Sequence, residues 1–167
     1  IQPEFYFPYY GLEWVQPLST TGMYALFTIA VISFLFVGLG LFYRIASIVA
    51  FLSFTYIELI DKSNYLNHYY FISIVCFLLI LVPANRYFSL DVLRKPGLRI
   101  THIPALTINI FILQLGIVYF YAGLAKLNYD WLFEAMPLKI WLPAQGHLPI
   151  IGPFLQQEWI AYFFSWF

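Results

Sequence analysis

Pro104-Ala-Leu-Thr-Ile-Asn-Ile-Phe-Ile-Leu-Gln-Leu-Gly-Ile-Val-Tyr-Phe-Tyr-Ala-Gly-Leu-Ala125 is a run of 22 residues without a single charge, and Lys126 closes it. A membrane-spanning helix needs about 20 apolar residues, so this stretch is long enough to cross a bilayer. A lone amine at the edge of a bilayer is costly and marks a candidate functional group. The rest of the chain agrees with this reading. It is 62% hydrophobic and 10% charged, with a mean hydropathy of +0.79, against roughly 25% charged residues in a soluble domain. Its aromatic share of 22% suits interfacial belts. Net charge is zero and no basic cluster suggests nucleic acid as a partner.

Three more apolar segments precede this one, at about 23–42, 45–60 and 69–82, and another begins at about 158–167. The second and third are short and must borrow flanking Tyr, Asn and Ser to reach across a bilayer. The predicted fold is all-α: a polytopic transmembrane helical bundle with interfacial amphipathic helices, forming one transmembrane domain over 1–167. The chain begins at Ile1 and ends inside an apolar stretch, and it reads as an excerpt of a longer membrane protein.

Pro3, Pro8 and Pro17 argue against one continuous helix over residues 1–19, which leaves an interfacial loop or a short surface helix. Ser19, Thr20 and Thr21 offer N-caps for the first span. Residues 84–103 mix apolar and basic side chains, as an interfacial helix and turn do, and 127–142 reads the same way. Pro143, Gly146, Pro149, Gly152 and Pro153 predict an irregular loop.

Counting Lys and Arg orients the chain. Arg44, Arg86, Arg94, Lys95 and Arg99 fall on one side, and Lys62, Lys126 and Lys139 on the other. Five against three places the second side outside, in periplasm, extracellular space or ER lumen. His68 opens the third span and Lys126 closes the fourth, so both are expected at this outer end, with Glu58, Asp61, Lys62 and Asn67.

Gly116, Tyr119, Gly123 and Lys126 are spaced three, four and three, so they share one helical face. Small residues there let another helix or a flat ligand come close. The plain alternative is helix packing at both glycines and a snorkelling Lys126. An amine buried in a bundle loses solvation, which favours its neutral form, and a neutral amine is a usable general base. His68, by itself, reads more simply as a hydrogen-bonded residue at a helix start. No two histidines have metal-ligand spacing, so no metal is expected. The single Cys76 reads as packing and can form no intrachain disulfide.

Several stretches, in this order, resemble the membrane part of the vitamin K-dependent gamma-glutamyl carboxylase family, the HTTM domain. They are Gly40-Leu-Phe-Tyr-Arg44, Asp61-Lys-Ser-Asn-Tyr-Leu-Asn-His68-Tyr, Ala84-Asn-Arg-Tyr-Phe-Ser-Leu-Asp91, His102-Ile-Pro104 and Gln114 through Gly123 to Lys126-Leu-Asn-Tyr-Asp-Trp131. The likeness covers roughly residues 5–142. It implies that Lys126 is the base that deprotonates a reduced vitamin K or related quinol. Dioxygen then turns the quinol anion into a stronger base that removes a γ-proton from a peptide glutamate. Carbon dioxide adds there and the quinone leaves as its epoxide. It also implies a site role for His68, with Asn67 as its companion. The helical face of Gly116, Tyr119 and Gly123, read above from spacing, is the surface expected to take the cofactor. Two departures are visible: Ala125-Lys126 stands where the carboxylase has two adjacent lysines, and Asn85-Arg86 where it has Asn-His. The expected partners are the lipid bilayer, the quinol and a glutamate-containing peptide, in a bacterial inner membrane or the ER. Two other readings stay open: a quinone-linked membrane oxidoreductase without carboxylation, and a non-enzymatic membrane scaffold or immunity-type subunit.

Overall fold

The computed structural model describes residues 5–166. Among them are nine α-helices and no strand. They form two compact units, divided between Phe111 and Ile112.

The first unit is built on three helices: α1 (Thr20–Leu39), α2 (Tyr43–Leu59) and α3 (Asn67–Leu81). Ser19 caps α1 by accepting from the Gly22 amide at 3.2 Å. The helix stops at Leu39 rather than at the expected Phe42. Gly40 (φ +61°) takes the left-handed conformation there, and its amide and that of Leu41 close the last turn on Val37 and Phe36. Phe42 is also left-handed (φ 46°), so the chain reverses in three residues and α2 returns along α1.

Where the helices meet, small side chains are buried: Ala30 and Ser33 on α1, Ala46, Ser47, Ala50 and Ser53 on α2, Ser73 and Cys76 on α3. Small residues let helix backbones approach closely where apolar burial gives no drive. The hydroxyls of Ser33 and Ser53 donate at 2.7 Å to Ile29 and Val49, four residues back on their own helices. No buried polar side-chain atom is left unpaired among the described residues. Large apolar side chains face outward instead, among them Ile29, Val31, Ile32 and Leu35 on α1. This is the reverse of a water-soluble core, and it is how a lipid-facing helix is built.

Two helices, α1 and α5 (Leu106–Ala125), are long and apolar enough to cross a membrane. α2 and α3, at 17 and 15 residues, are shorter. The basic stretch after α3 forms one turn of helix, α4 (Leu90–Arg94), and a 3-10 turn at Pro96–Leu98. It is pinned to the start of α2 by Asp91. That carboxylate accepts from the amides of Phe42 (2.9 Å) and Tyr43 (3.0 Å) and from Asn85 Nδ2 (2.8 Å). Burial pushes the Asp91 carboxyl up, but these three donors and the Arg94 guanidinium outweigh it and hold the group below the usual aspartate range. The stretches 40–44 and 84–91, far apart in sequence, therefore form one hydrogen-bonded knot. Tyr43 Oη and Arg44 Nη1 extend it to the carbonyls of Leu79 and Ile80 at the end of α3.

The second unit contains most of α5, then α6 (Tyr129–Leu132), α7 (Leu138–Ala144), α8 (Gly152–Leu155) and α9 (Glu158–Trp166). The loop expected over 143–153 is partly helical: Pro143 lies inside α7, and Gly152 and Pro153 open α8. Proline is well placed in a first helical turn, where its missing N–H costs nothing. α9 packs against α6, α7 and α8. Four hydrogen bonds fix it. Ser165 Oγ donates to the Trp131 carbonyl, Trp166 Nε1 to Leu132 O (3.0 Å), Tyr162 Oη to Phe133 O (3.1 Å) and Lys139 Nζ to Tyr162 Oη (2.9 Å).

Candidate functional site

In the first unit the segment before α1 folds back onto the link between α2 and α3. Residues 5–19 hold no helix among those described, so the expected surface helix is absent and the loop alternative holds. Asp61 organises this return. Its carboxylate accepts from the amides of Ser63 (2.9 Å) and Phe7 (3.1 Å) and from Asn64 Nδ2 (3.3 Å). The backbone donors hold its pKa low, Ser63 first and Phe7 second. The Lys62 amide donates to Phe7 O at 2.8 Å, and Tyr56 Oη to Gln16 O at 2.8 Å.

An open cavity of about 700 Å³ lies between the starts of α1 and α3 and the end of α2, with Pro17 of the fold-back at its edge. Its size is that of a small-molecule site. Phe27, Phe54 and Tyr69 supply aromatic walls, and Glu58 and Asp61 are its two carboxylates. Glu58 also lines a second cavity of about 500 Å³. There it accepts a 2.5 Å hydrogen bond from Ser73 Oγ, which itself accepts from Thr55 at 3.4 Å. Glu58 thus stands between two cavities, tied by a hydroxyl chain to α3. The sequence places Glu58 only on the outer side. Its link to Ser73, fifteen residues on, depends on how α2 and α3 pair, which no local pattern encodes.

Asn67 and His68 form the first turn of α3 and both are exposed. They line neither cavity, although Leu66 and Tyr69 on either side line the larger one. No side chain caps this helix, so its first amides face outward with the positive end of the helix dipole.

In the second unit, Gly116, Tyr119 and Gly123 lie on one face of α5, as their spacing requires. No residue of α5 is buried. A Cβ added at Gly116 or Gly123 would meet nothing within 4 Å, and Tyr119 is 74% exposed. Lys126 follows the helix, its amide closing a last turn on Gly123 O at 3.0 Å. It is exposed rather than buried. Its Nζ lies 4.8 Å from the centroid of the Trp131 ring, within cation–π range. Asn128 holds this pair together: its Nδ2 donates to Ala125 O (2.8 Å) and its Oδ1 accepts from the Trp131 amide (3.0 Å). The run Lys126 to Trp131 is thus a helix end and a helix start joined through one asparagine. The unit's other amine, Lys139, is differently placed. It is 2.7 Å from Glu158 and bonded to Tyr162. These hydrogen bonds, Glu158 first, raise its pKa above the usual lysine range, so it holds its proton. Among the described residues no cluster of His, Cys, Asp and Glu could hold a metal ion.

No solved structure matches the chain. The family model of the HTTM domain matches residues 1–167, the whole of it. The chain therefore belongs to the HTTM-domain family, whose domain is found in vitamin K-dependent carboxylase-like proteins.

Proposed function

We propose that this protein is a multi-pass membrane enzyme of the carboxylase type, acting on a quinol and a glutamate-bearing peptide with its site on the non-cytoplasmic side. The observation that carries the reading is Lys126, exposed just beyond a 20-residue apolar helix whose Gly116 and Gly123 leave open space on the same face. A flat ring reaching the site from lipid fits that face, with Tyr119 beside it and the amine at its edge. When bound, reduced vitamin K or a related quinol would supply four electrons to dioxygen, one oxygen atom ending in the quinone epoxide and the other in water, while carbon dioxide replaces a glutamate γ-proton. Lys126 takes the phenolic proton that starts this exchange. Asn67 and His68 assist from the first turn of α3, where the helix dipole favours negative charge.

A second reading has its own observation. An amine over the Trp131 ring is also what a membrane-interface anchor looks like, and it suits a scaffold subunit. The separating experiment measures radiolabelled bicarbonate incorporation into a glutamate-containing peptide, with reduced vitamin K and the full-length protein. Label should appear with wild type and fall about 100-fold or more in Lys126→Ala, with an unchanged melting transition. Lys126→Arg should fail equally, because a guanidinium keeps its proton. Activity in either variant would remove Lys126 as the base. Folded wild type that binds the quinol without incorporating label would point to a quinone-linked oxidoreductase. Absence of quinol binding would leave the anchor.

A further inference from the structure

An open cavity of about 280 Å³ lies in the knot between the start of α2 and the stretch 85–98 that contains α4. Arg44, Arg86, Arg94 and Lys95 all line it. The single carboxylate in its wall, Asp91, is committed to the amides of Phe42 and Tyr43 and to Asn85. Four cations thus face one acid, which already accepts three hydrogen bonds and pairs with Arg94 at 3.8 Å, so three of the cations have no carboxylate in this wall to neutralise them. Two of the cations are held in place, Arg44 by the Ile80 carbonyl and Arg94 by stacking 4.2 Å from the Phe42 ring centroid. The side chains of Arg86 and Lys95 have no hydrogen-bond or ion-pair partner among the described residues.

We infer that this cavity binds the phosphate group of an anionic phospholipid. Two fixed guanidiniums offer forked donors that match a phosphate, and two free cations complete its neutralisation. The surroundings favour a lipid as the source. The cavity lies at the end of α1, a helix of spanning length, which is headgroup depth if α1 crosses the bilayer. Its wall includes Ile45, 67% exposed, and its basic segment carries Phe88 and Leu93, 92% and 76% exposed. Acyl chains can run along these side chains while the phosphate stays among the cations, as in basic pockets on the cytoplasmic side of membrane helices. The inference rests on the membrane reading of α1, but not on Lys126 or on carboxylation.

The test is thermal unfolding of the full-length protein in dodecyl maltoside micelles, titrated with phosphatidylglycerol, phosphatidylcholine or sodium phosphate. Phosphatidylglycerol should raise the midpoint saturably; phosphatidylcholine and millimolar phosphate should not. Arg86→Gln with Lys95→Gln should keep the unliganded midpoint, since neither side chain is bonded, and should need about tenfold or more phosphatidylglycerol for the same shift. Should the double variant melt early, Arg86→Gln alone should still weaken the response about fivefold. An equal response to both lipids, or variants that respond like wild type, would overturn the site. A shift reproduced by sodium phosphate alone would overturn the lipid as its source. None of these readouts depends on turnover, so carboxylase activity can fail without touching this result.

Discussion

Asp91 does the work of a helix cap from 49 residues away. Phe42, the residue before α2, has no polar side chain to cap it, so the first amides of that helix need an outside acceptor. The Asp91 carboxylate supplies one, and its charge suits the positive end of the helix. Asp91→Ala should destabilise the protein by about 2 kcal/mol, the scale of a lost charged hydrogen bond. The folded-state pKa of Asp91 lies below its ordinary value, so its stabilisation is complete above about pH 3.9 and is lost as pH falls through the folded value. Denaturant midpoints of wild type and Asp91→Ala should therefore differ at pH 7 and converge only as pH falls below the folded-state value. A gap of constant size would show that the charge is not what matters. Gly40 is the companion residue. Its φ of +61° disfavours any side chain, and an added Cβ would collide with Ser89 Cβ. Gly40→Ala should cost more than the roughly 1–2 kcal/mol of the left-handed conformation alone, as urea unfolding would measure. A loss well below that would mean the loop relaxes away from Ser89.

The helices themselves were largely legible in the sequence, because apolar runs and caps are local. Segments expected at 45–60, 69–82 and 104–125 are helices at Tyr43–Leu59, Asn67–Leu81 and Leu106–Ala125. The face carrying Gly116, Tyr119, Gly123 and Lys126 was legible for the same reason. What could not be read is which elements meet. The stretches 40–44 and 84–91 gave no sign of being partners, since Asp91 chooses the amides of Phe42 and Tyr43 only once the chain has folded. The large cavity was hidden likewise, because its walls come from the starts of α1 and α3 and the end of α2, which meet only in the folded unit. Small residues drew attention on α5, yet the buried ones are on α2, where Ala46, Ala50 and Ser53 alternate with larger side chains and no glycine marks them. The open glycines of α5 now permit a test of that helix as a ligand surface. Gly123→Leu meets no neighbour within 4 Å of its Cβ and replaces a poor helix former, so the melting midpoint should hold or rise. If the ring of the quinol lies on this face, the same change should raise the quinol KM about tenfold or more. An unchanged KM would move the ring elsewhere.

On the scale of the whole molecule, the informative contrast is between what is buried and what is not. Where its helices meet, the first unit hides serines and alanines, and it exposes many isoleucine, leucine and phenylalanine side chains, a distribution that suits an apolar solvent. α1 and α5 have the length for a bilayer. α3, at 15 residues, is about 22 Å long against a hydrocarbon core of about 30 Å, so a crossing by α3 would need a thinned bilayer or interfacial side chains at its ends. Whether α2 and α3 cross or only dip decides where the polar ends of the molecule lie. On the proposed topology of four crossings, Lys62 and Leu127 would lie outside and Gly97 inside. Cys76 is buried, which keeps the background of thiol labelling low. In right-side-out vesicles, Lys62→Cys and Leu127→Cys should react with a membrane-impermeant maleimide, and Gly97→Cys should react only after the membrane is opened. If α2 and α3 formed a hairpin that does not cross, residues 62 and 97 would label from the same side. That outcome would contradict the packing of α2 back along α1, which sets the Glu58 cavity at the start of α1 and the basic cavity at its end, and it would remove the four-crossing topology on which a shared outer side for His68 and Lys126 depends.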